Sequence, residues 1–345
     1  MRVAPLGKDG CIQQRRNFYN RSLGETMKAI VIQRFGGPEV LKLQEVADPQ
    51  PQPDEVLVRV QAVGVNFADV MMAQGGYPGT PAPPVIAGRE FAGVVEGSGE
   101  RVMGYTQLGG FAEKIAAPRT LLWPQPMGWS APEAAAFPVN YFTAYLAYWE
   151  AGLLDPAADG RRPRVLIHAV AGGVGTAAVE IGKVLGVETY GTSSSDQKLA
   201  RVKEVGLNHA INYKQTDYEK VIAELTGGEG VDAVFEMLGG EHTGKSLRCL
   251  RDFGRVILYG TATGQQPKFD TRSMYAKASS AHGLWLSKLS LKQNIMQPAW
   301  ERMSRWIEEG KLRPVVGHVL PLVQAGDAFR LMLERKNYGK IVLTV

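Results

Sequence analysis

The sequence has little cysteine and no long apolar stretch. Two cysteines, Cys11 and Cys249, stand among 345 residues, too few for a disulfide framework or a four-cysteine zinc site. There is no run of about 18 apolar residues and no repeat of roughly 20 to 50 residues, so neither a membrane span nor a solenoid is expected. A reducing compartment, the cytoplasm, is therefore the predicted location.

Histidine is also scarce, and its spacing is not that of a metal site. The five histidines stand at positions 168, 209, 242, 282 and 318. Zinc sites usually draw their ligands from closely spaced pairs, which these positions do not form. We therefore expect no bound metal and a structural role for each lone histidine.

The net charge of +5 is distributed unevenly along the chain. Residues 1–26 hold five basic and two acidic side chains, which is +3, and the rest of the chain carries +2. This segment lacks helical or alternating periodicity and the apolar core of a signal peptide. We predict a disordered leader over 1–26 with Met27 as the natural start, a functional basic tail being the alternative. The remaining surplus does not indicate a nucleic-acid partner.

Short β-like runs separated by glycine and proline fill residues 27–118. They predict an antiparallel, partly open β domain. Ser130 and Glu133 then form a capping box that opens an alanine-rich helix. Pro138 is expected to interrupt this helix, and a second helix is expected from Asn140 to about Glu150.

After a polar break over 155–163, predicted strands alternate with predicted helices. This alternation predicts an α/β fold with a parallel, doubly wound sheet. The tail is expected to return to the first domain. We therefore predict a β domain over 27–148 that is completed by 288–345, and a nucleotide-binding domain over 149–287.

A glycine-rich turn joins the first strand and helix of the alternating region. Its sequence is His168-Ala169-Val170-Ala171-Gly172-Gly173-Val174-Gly175. Glycines let the backbone approach a pyrophosphate, and the helix N-terminus supplies amide donors to it. Val170 stands at the first glycine position of the dinucleotide fingerprint, and ordinary tight-turn glycines are the alternative interpretation. The context of strand and helix predicts a dinucleotide site formed by Gly172, Gly173, Val174 and Gly175.

Small hydroxyl residues and a lysine follow the second predicted strand, where NAD enzymes place an acid for the ribose hydroxyl. Ser193, Ser194 and Lys198 suit the 2'-phosphate of NADPH through hydrogen bonds and charge. Asp196 lies near the spacing of the ribose acid, but we interpret it as the cap of the following helix. The sequence therefore favours NADPH over NADH.

Several dispersed motifs occur in order along residues 27–345. They are Ala62-Val63-Gly64-Val65-Asn66-Phe67-Ala68-Asp69, Gly88-Arg89-Glu90-Phe91-Ala92-Gly93-Val94-Val95, Asn140-Tyr141-Phe142-Thr143-Ala144-Tyr145, the glycine turn and Leu258-Tyr259-Gly260. Through these motifs the chain resembles the medium-chain dehydrogenase/reductase superfamily, and within it the zinc-free quinone oxidoreductases, including zeta-crystallin and the vesicle amine transport protein branch. The resemblance implies a Rossmann domain joined to a GroES-like, mostly antiparallel β catalytic domain.

Zinc alcohol dehydrogenases of this superfamily carry a cysteine at the position of Asn66 and a histidine at that of Arg89. Neither ligand is present here. Without a Lewis acid to polarise a carbonyl, the acceptor is expected to be electrophilic itself. The resemblance therefore implies hydride transfer from NADPH to a quinone or an α,β-unsaturated carbonyl.

The resemblance also assigns cofactor contacts. Thr143 is expected beside the nicotinamide, and Lys198 and Tyr213 at the adenosine 2'-phosphate. Arg335 is a further candidate for that phosphate. Tyr213 also has a plainer interpretation, as an aromatic residue at the edge of a strand. Two residues of the last motif complete the predicted cofactor-binding set, Tyr259 and Gly260.

Three side chains are candidates for the substrate cleft: Asn66, Tyr77 and, behind them, Tyr141. Their amide and hydroxyl groups could donate to an enolate or semiquinone-like oxygen, and Tyr77 or water could complete protonation. An aromatic residue in a surface turn is the equal alternative for Tyr77. Asp69 and Glu90 are interpreted as buried carboxylates that hold the loop.

Two other functions stay open. One is enoyl reduction of a thioester, for which Lys288, Lys292 and Arg302 would form a basic entrance, although solvated helix faces often look the same. The other is a non-catalytic NADPH-binding or membrane-associated role, but no strongly basic amphipathic helix is visible. The apolar segment from Ala278 to Leu286, by analogy a sheet-edge strand, predicts a homodimer.

Overall fold

The structure, a computed structural model, describes residues 25–157 and 160–345. The first described strand begins at Thr26, one residue before the predicted start of order at Met27. The rest of the predicted disordered leader, residues 1–24, lies outside the described residues.

Residues 26–124 form strands around one short helix. The strands are β1 (Thr26–Ile32), β2 (Leu41–Ala47), β3 (Glu55–Val65), β4 (Val85–Ile86), β5 (Glu90–Val95), β6 (Arg101–Tyr105), β7 (Lys114–Pro118) and β8 (Leu122–Pro124). Helix α1 (Phe67–Ala73) follows β3. Strands β3, β5, β6 and β8 are neighbours in one sheet, β7 also pairs with β3, and β1 lies between β2 and β4. All these pairings are antiparallel, so the predicted β domain is confirmed.

Helices α2 (Ala131–Ala135) and α3 (Pro138–Ala151) lead out of this domain. The predicted capping box begins α2: the backbone N–H of Glu133 donates to the Ser130 hydroxyl at 3.4 Å, and that of Ser130 donates to the Glu133 carboxylate at 2.8 Å. The expected interruption is present, because α2 ends at Ala135 and a new helix follows, but Pro138 itself begins α3, two residues before the predicted start at Asn140. Proline suits that position, since a first-turn N–H has no intrahelical acceptor.

Strands and helices alternate over residues 164–283. The elements are β9 (Arg164–Ile167), α4 (Gly173–Val184), β10 (Glu188–Ser193), α5 (Asp196–Val205), β11 (His209–Asn212), α6 (Tyr218–Leu225), β12 (Val231–Glu236), α7 (Glu241–Cys249), β13 (Leu250–Leu258), α8 (Arg272–Tyr275) and β14 (Ser280–Gly283). The sheet has the order β11-β10-β9-β12-β13-β14, and every pairing is parallel. This order is that of a Rossmann sheet, as predicted.

Strand β14 is the sheet edge expected between Ala278 and Leu286, but it is shorter than the predicted segment. Ala278 has a positive φ of 47° before the strand, and Leu286 begins a helix after it. The side chains of β14 alternate between half-buried and exposed.

The tail returns to the first domain. Its elements are α9 (Leu286–Leu289), α10 (Gln293–Glu308), β15 (Val316–Pro321), α11 (Ala325–Leu333) and β16 (Lys340–Thr344). Strand β16 pairs antiparallel with β3 and parallel with β15, so the tail adds two strands to the first sheet. The domain boundaries at 148/149 and 287/288 stay predictions. In the described parts of the chain, no helix combines the length and apolarity that a membrane crossing needs.

Candidate cofactor and substrate site

The glycine turn connects β9 to α4 at the carboxyl edge of the parallel sheet. Gly172 is the N-cap of α4, and Gly173, Val174 and Gly175 form its first turn. A Cβ on Gly175 would lie 2.4 Å from the carbonyl oxygen of Val170, so only glycine lets the helix pack this closely on the turn. Since first-turn N–H groups have no intrahelical acceptors, this turn can receive an anion.

Helix α3 packs against the same turn through Asn140. A Cβ on Gly173 would lie 2.5 Å from the side-chain nitrogen of Asn140. Thr143 lies three residues further along α3, on the same helix face as Asn140, and is 6% exposed. The residue predicted to lie beside the nicotinamide is therefore on the face of α3 that meets the glycine turn.

The side chains predicted for the 2'-phosphate come together from separate elements. Lys198 of α5 donates from Nζ to the carbonyl oxygen of Arg335 at 2.6 Å. The Arg335 guanidinium donates to the Tyr213 hydroxyl at 3.3 Å. Ser193 ends β10 and Ser194 follows it directly. Partial burial of Lys198 lowers its pKa, and the two cations and the phenol form one polar cluster at the sheet edge.

Asp196 points to the neighbouring strand. Its carboxylate accepts hydrogen bonds from Asn212 at 2.9 Å and from Gln215 at 2.7 Å. The interpretation of Asp196 as the cap of α5 is wrong. Ser195 is the N-cap and accepts from the N–H of Lys198 at 3.4 Å, whereas Asp196 lies inside the first turn, where an acid favours the helix dipole.

Tyr259 and Gly260 follow β13 at the same edge of the sheet. The N–H of Tyr259 donates to the carbonyl oxygen of Glu236, the last residue of β12, at 3.0 Å. The buried Glu236 carboxylate accepts from the N–H groups of Leu238 and Gly239 at 2.6 and 2.9 Å. This carboxylate fixes the loop beside Tyr259.

A buried polar network joins Asn66, Glu90, Asn140 and Lys340. The Lys340 ammonium donates to the side-chain oxygen of Asn66 at 2.6 Å and to that of Asn140 at 3.4 Å, and it forms an ion pair with Glu90. The Asn66 amide nitrogen donates to Glu90 at 2.8 Å. Lys340 is 3% exposed and Glu90 is fully buried. These bonds fix the orientation of the Asn66 amide and leave one of its two N–H groups without an acceptor among the described residues.

The same network reaches the cofactor turn along β16. Gly339, which precedes Lys340, donates from its N–H to the carbonyl oxygen of Ala171 at 2.8 Å and pairs with Gly172 in an isolated parallel bridge. The end of one strand therefore contacts both the predicted pyrophosphate turn and the predicted substrate amide.

Tyr77 lies in the turn after α1 and is held by both halves of the molecule. The Arg89 guanidinium carbon lies 4.2 Å from the centre of its ring. The indole N–H of Trp285 donates to its hydroxyl at 2.8 Å, and the two rings meet edge to face. These contacts do not fit an aromatic residue that only covers a surface turn.

Asp69 and Arg89 connect Tyr77 to Asn66. One oxygen of Asp69 accepts from the N–H of Asn66 at 2.8 Å, and the other lies 3.8 Å from Nε of Arg89. Burial raises the pKa of Asp69 to about 6, although Arg89 acts in the opposite direction. The carboxylate holds the loop, as the sequence suggests.

Tyr141 points away from this cluster. It is 2% exposed and stacks on Phe137, with 4.4 Å between ring centres. Its hydroxyl donates to the carboxylate of Glu180 on α4. Because that proton is engaged, the structure does not bring Tyr141 together with Asn66 and Tyr77 as a substrate donor.

The two positions that hold zinc ligands in zinc alcohol dehydrogenases are occupied here by residues engaged in other contacts. Asn66 belongs to the buried network, and Arg89 donates to the Ser287 hydroxyl at 3.1 Å. Over residues 25–157 and 160–345, no group of three or more His, Cys, Asp or Glu side chains is arranged to hold a metal ion.

Sequence reasoning missed Lys340, Asn140, Glu236 and Trp285. The one signal for Lys340 is a lone charge at the start of an apolar run, where burial would require a partner. Asn140 begins one of the motifs that carry the resemblance but was given no role, whereas Glu236 and Trp285 lie in segments whose sequence gives no comparable signal.

Two family comparisons match separate parts of the chain. Residues 52–127 match the family described as Alcohol dehydrogenase GroES-like domain. Residues 173–309 match the family described as Zinc-binding dehydrogenase.

Individual relatives extend over nearly the whole chain. The human synaptic vesicle membrane protein VAT-1 homolog is 34% identical over 347 residues, which cover 92% of this chain and 86% of that protein. Pig quinone oxidoreductase is 34% identical over 329 residues, which cover 92% of this chain and 97% of that protein.

Solved structures give the same result. The quinone oxidoreductase of Thermus thermophilus, described together with its NADPH complex, is 36% identical with a TM-score of 0.81, covering 92% of this chain and all of that one. The enoyl reductase CurK is 28% identical with a TM-score of 0.83, and the match covers 93% of this chain and 99% of that one.

Proposed function

Because the chain belongs to the medium-chain dehydrogenase/reductase superfamily, as an oxidoreductase related to quinone oxidoreductases and VAT-1 homologues, we propose that it is an NADPH-dependent, zinc-independent reductase. The acceptor is a quinone or an α,β-unsaturated carbonyl. The observation that carries the proposal is the cluster of Lys198, Tyr213 and Arg335 at the sheet edge that also holds the glycine turn.

The residues of the turn and its surroundings fit a nicotinamide dinucleotide. Gly172 leaves the backbone free of a side chain where a pyrophosphate would approach the N-terminus of α4, and Gly175 lets that helix pack closely on the turn. Lys198 and Arg335 supply positive charge, and Tyr213 a hydroxyl, to a 2'-phosphate. An adenosine without this phosphate would offer the two cations no anionic group, which supports NADPH over NADH.

The substrate side needs hydrogen-bond donors more than it needs a nucleophile. NADPH, when bound, supplies a hydride with its two electrons. Asn66 has one N–H to give, and Tyr77 has its hydroxyl proton, so both can stabilise an oxygen that becomes negative. Tyr77 or water then supplies one proton, so that the acceptor gains a hydride and a proton in total.

Zinc independence is supported by the contacts of two residues. Asn66 offers a neutral amide held by Lys340 and Glu90, and Arg89 carries a positive charge of its own against Asp69. A cation would be repelled by Arg89 and would meet no thiolate or imidazole at these two positions.

A substrate panel tests the proposal. Turnover with 1,4-benzoquinone, 9,10-phenanthrenequinone and a simple enone is compared with NADPH and with NADH, each in the presence and absence of EDTA. We expect NADPH-dependent turnover that EDTA does not change, and much poorer turnover with NADH. Tight NADPH binding without turnover of any acceptor would contradict the enzyme function and favour the non-catalytic NADPH-binding or membrane-associated alternative.

A second candidate is enoyl-thioester reduction, which the likeness to the CurK enoyl reductase favours. The predicted basic entrance gives it little support. The Arg302 guanidinium donates to the carbonyl oxygen of Leu154 at 2.6 Å and pairs with Asp155, so this charge is already engaged. Faster turnover of a crotonyl thioester than of an enone of the same chain length would favour this candidate.

A homodimer through β14 and a cytoplasmic location remain proposals. The support for the dimer is the position of β14 at the edge of the parallel sheet, where one side of its backbone has no neighbouring strand in the described chain.

A further inference from the structure

The hydrogen bond between Trp285 and Tyr77 has only one possible direction. An indole N–H donates and cannot accept, so the Tyr77 oxygen must be the acceptor at 2.8 Å. The phenolic proton of Tyr77 is therefore not used in this bond. No other described residue accepts it.

Trp285 holds this hydroxyl from the other half of the molecule. It follows β14 of the parallel sheet and is the N-cap residue of α9, whereas Tyr77 follows α1 of the β domain. Ser287, two residues further, accepts from Arg89 at 3.1 Å and lies 2.9 Å from the Tyr105 hydroxyl. The segment after β14 thus contacts the substrate side at several points.

The ring of Tyr77 is restrained as well as its oxygen. The Arg89 guanidinium lies over one face, and the edge of Trp285 meets the ring at 65°, with 6.3 Å between ring centres. Tyr77 is nevertheless half-buried and not enclosed. A fixed ring, an occupied oxygen lone pair and an uncommitted proton define a directed hydrogen-bond donor.

We propose that Trp285 is a positioning residue for proton delivery, which orients the Tyr77 hydroxyl so that its proton points at the acceptor oxygen. This inference rests on the reductase function proposed above. In the reaction, hydride arrives at the electrophilic carbon and a carbon–oxygen π bond becomes an oxyanion. The Tyr77 proton passes to that oxygen, or first stabilises it by hydrogen bonding, and solvent returns a proton to the phenolate.

The test compares Trp285→Phe with Trp306→Phe. Trp306 is a matched control, since it is also half-buried, contacts a tyrosine ring at 6.1 Å and has a basic side chain over its ring. Among the described residues, however, its indole donates to no tyrosine. Trp285→Phe keeps an aromatic ring but removes the indole N–H together with the rest of its five-membered ring. Trp306→Phe removes the same atoms, so the difference between the two variants reports on the hydrogen bond to Tyr77.

We expect Trp285→Phe to lower kcat by roughly tenfold and to leave the KM for NADPH unchanged. This is a part of the roughly 10²- to 10⁴-fold rate enhancement that a positioned general acid typically contributes. Tyr77→Phe should lower kcat further, and adding Trp285→Phe to it should cause no additional loss, because Trp285 acts through Tyr77. The solvent isotope effect on kcat should rise in Trp285→Phe and stay at the wild-type value in Trp306→Phe.

An NMR measurement tests the hydrogen bond between Trp285 and Tyr77 independently of enzyme activity. In the full-length protein labelled with ¹⁵N-tryptophan, the indole signal that disappears in Trp285→Phe should shift upfield in Tyr77→Phe, and the Trp306 signal should not move. A Trp285→Phe enzyme whose kcat and isotope effect equal those of Trp306→Phe would overturn the positioning role. Absence of turnover in the wild type would instead overturn the reductase function, and the positioning role with it.

Discussion

Lys340 and Asn66 lie 274 residues apart in the chain and are joined by a 2.6 Å hydrogen bond from Nζ to Oδ1. The same ammonium pairs with Glu90, whose other oxygen accepts from the N–H of Val139 at 2.7 Å at the start of α3. One buried cation therefore holds the candidate substrate amide, a buried carboxylate and the helix that packs on the cofactor turn.

Removing the Lys340 ammonium should destabilise the folded protein. Lys340→Met leaves Glu90 buried without its counter-charge, and we expect a loss of roughly 3 to 5 kcal/mol in the free energy of unfolding, measured with urea. Lys336→Met is the matched control, because Lys336 forms an exposed ion pair with Glu334, for which we expect a loss below about 1 kcal/mol. Adding Glu90→Gln to Lys340→Met should restore much of the stability. Equal stability of the two single variants would contradict a structural role for the buried pair.

Lys198 should determine cofactor choice. Lys198→Ala removes a charge from the proposed 2'-phosphate site, and we expect the KM for NADPH to rise by roughly tenfold or more, as for loss of a charge-assisted bond, while that for NADH changes little. Lys203→Ala, on the exposed part of the same helix, provides the control. Equal effects on both cofactors would show that Lys198 does not meet the phosphate.

Gly175 tests the close contact between helix and turn. Alanine ordinarily stabilises a helix relative to glycine by about 1 kcal/mol. Here its Cβ would lie 2.4 Å from the Val170 carbonyl oxygen, so the free-energy cost of the steric overlap should exceed that gain. We expect a net destabilisation of roughly 1 to 3 kcal/mol and weakened NADPH binding. Gly283→Ala is the control within one chain, since a Cβ there meets no atom of the described residues within 4 Å. Thermal unfolding and NADPH fluorescence titration would measure both effects, and wild-type binding by Gly175→Ala would disprove the packing argument.

Glu180 should make stability fall as the pH rises. Burial raises its pKa to about 7 from an ordinary value of 4.5, so the folded state holds this proton more tightly than the unfolded state. The stabilisation that Glu180 adds to the folded state is complete below about pH 4.5 and is lost as the pH rises through 7. For this partly exposed group the loss in the free energy of unfolding is on the order of 2 kcal/mol.

Urea unfolding at pH 5 and pH 8 would measure this loss. Glu180→Gln keeps a neutral acceptor for Tyr141 and should remove the decrease. Comparing it with the wild type isolates Glu180, because Asp69, whose pKa is also raised, is present in both proteins. An unchanged decrease in the variant would assign the effect to other groups.

The edge position of β14 predicts association of two chains. Multi-angle light scattering should give twice the mass of one chain, independent of NADPH. A mass of one chain at micromolar concentration would remove the dimer from the proposal.

Patterns within single segments were predictable from the sequence. The alternation of strands and helices predicts the parallel sheet, because the hydrophobic period and the turn residues are local properties of the sequence. The glycine turn was recognisable for the same reason. The meeting of Lys198, Tyr213 and Arg335 was expected from the family resemblance and not from any local pattern.

Contacts between distant segments were not predictable in this way. The sequence cannot show that Lys340 reaches Asn66, since the two meet only through the return of β16 to β3. The sequence predicts Tyr141 behind the cleft and Thr143 beside the nicotinamide, but the Tyr141 hydroxyl faces Glu180 on α4. Helical neighbours two residues apart do not share a face, and that geometry separates the two side chains.

The return of β16 also has a consequence for how the protein is made. During synthesis, β3 and Glu90 leave the ribosome long before Lys340, and closing so large a loop costs chain entropy that local contacts do not offset early. Until β16 arrives, residues 62–65 of β3 have no strand on one side, and an open strand edge is a template for pairing with another chain. A nascent chain stopped before residue 340 would contain the whole parallel sheet and its glycine turn, yet it would present an unfinished sheet edge to other chains and depend on chaperones to stay unaggregated.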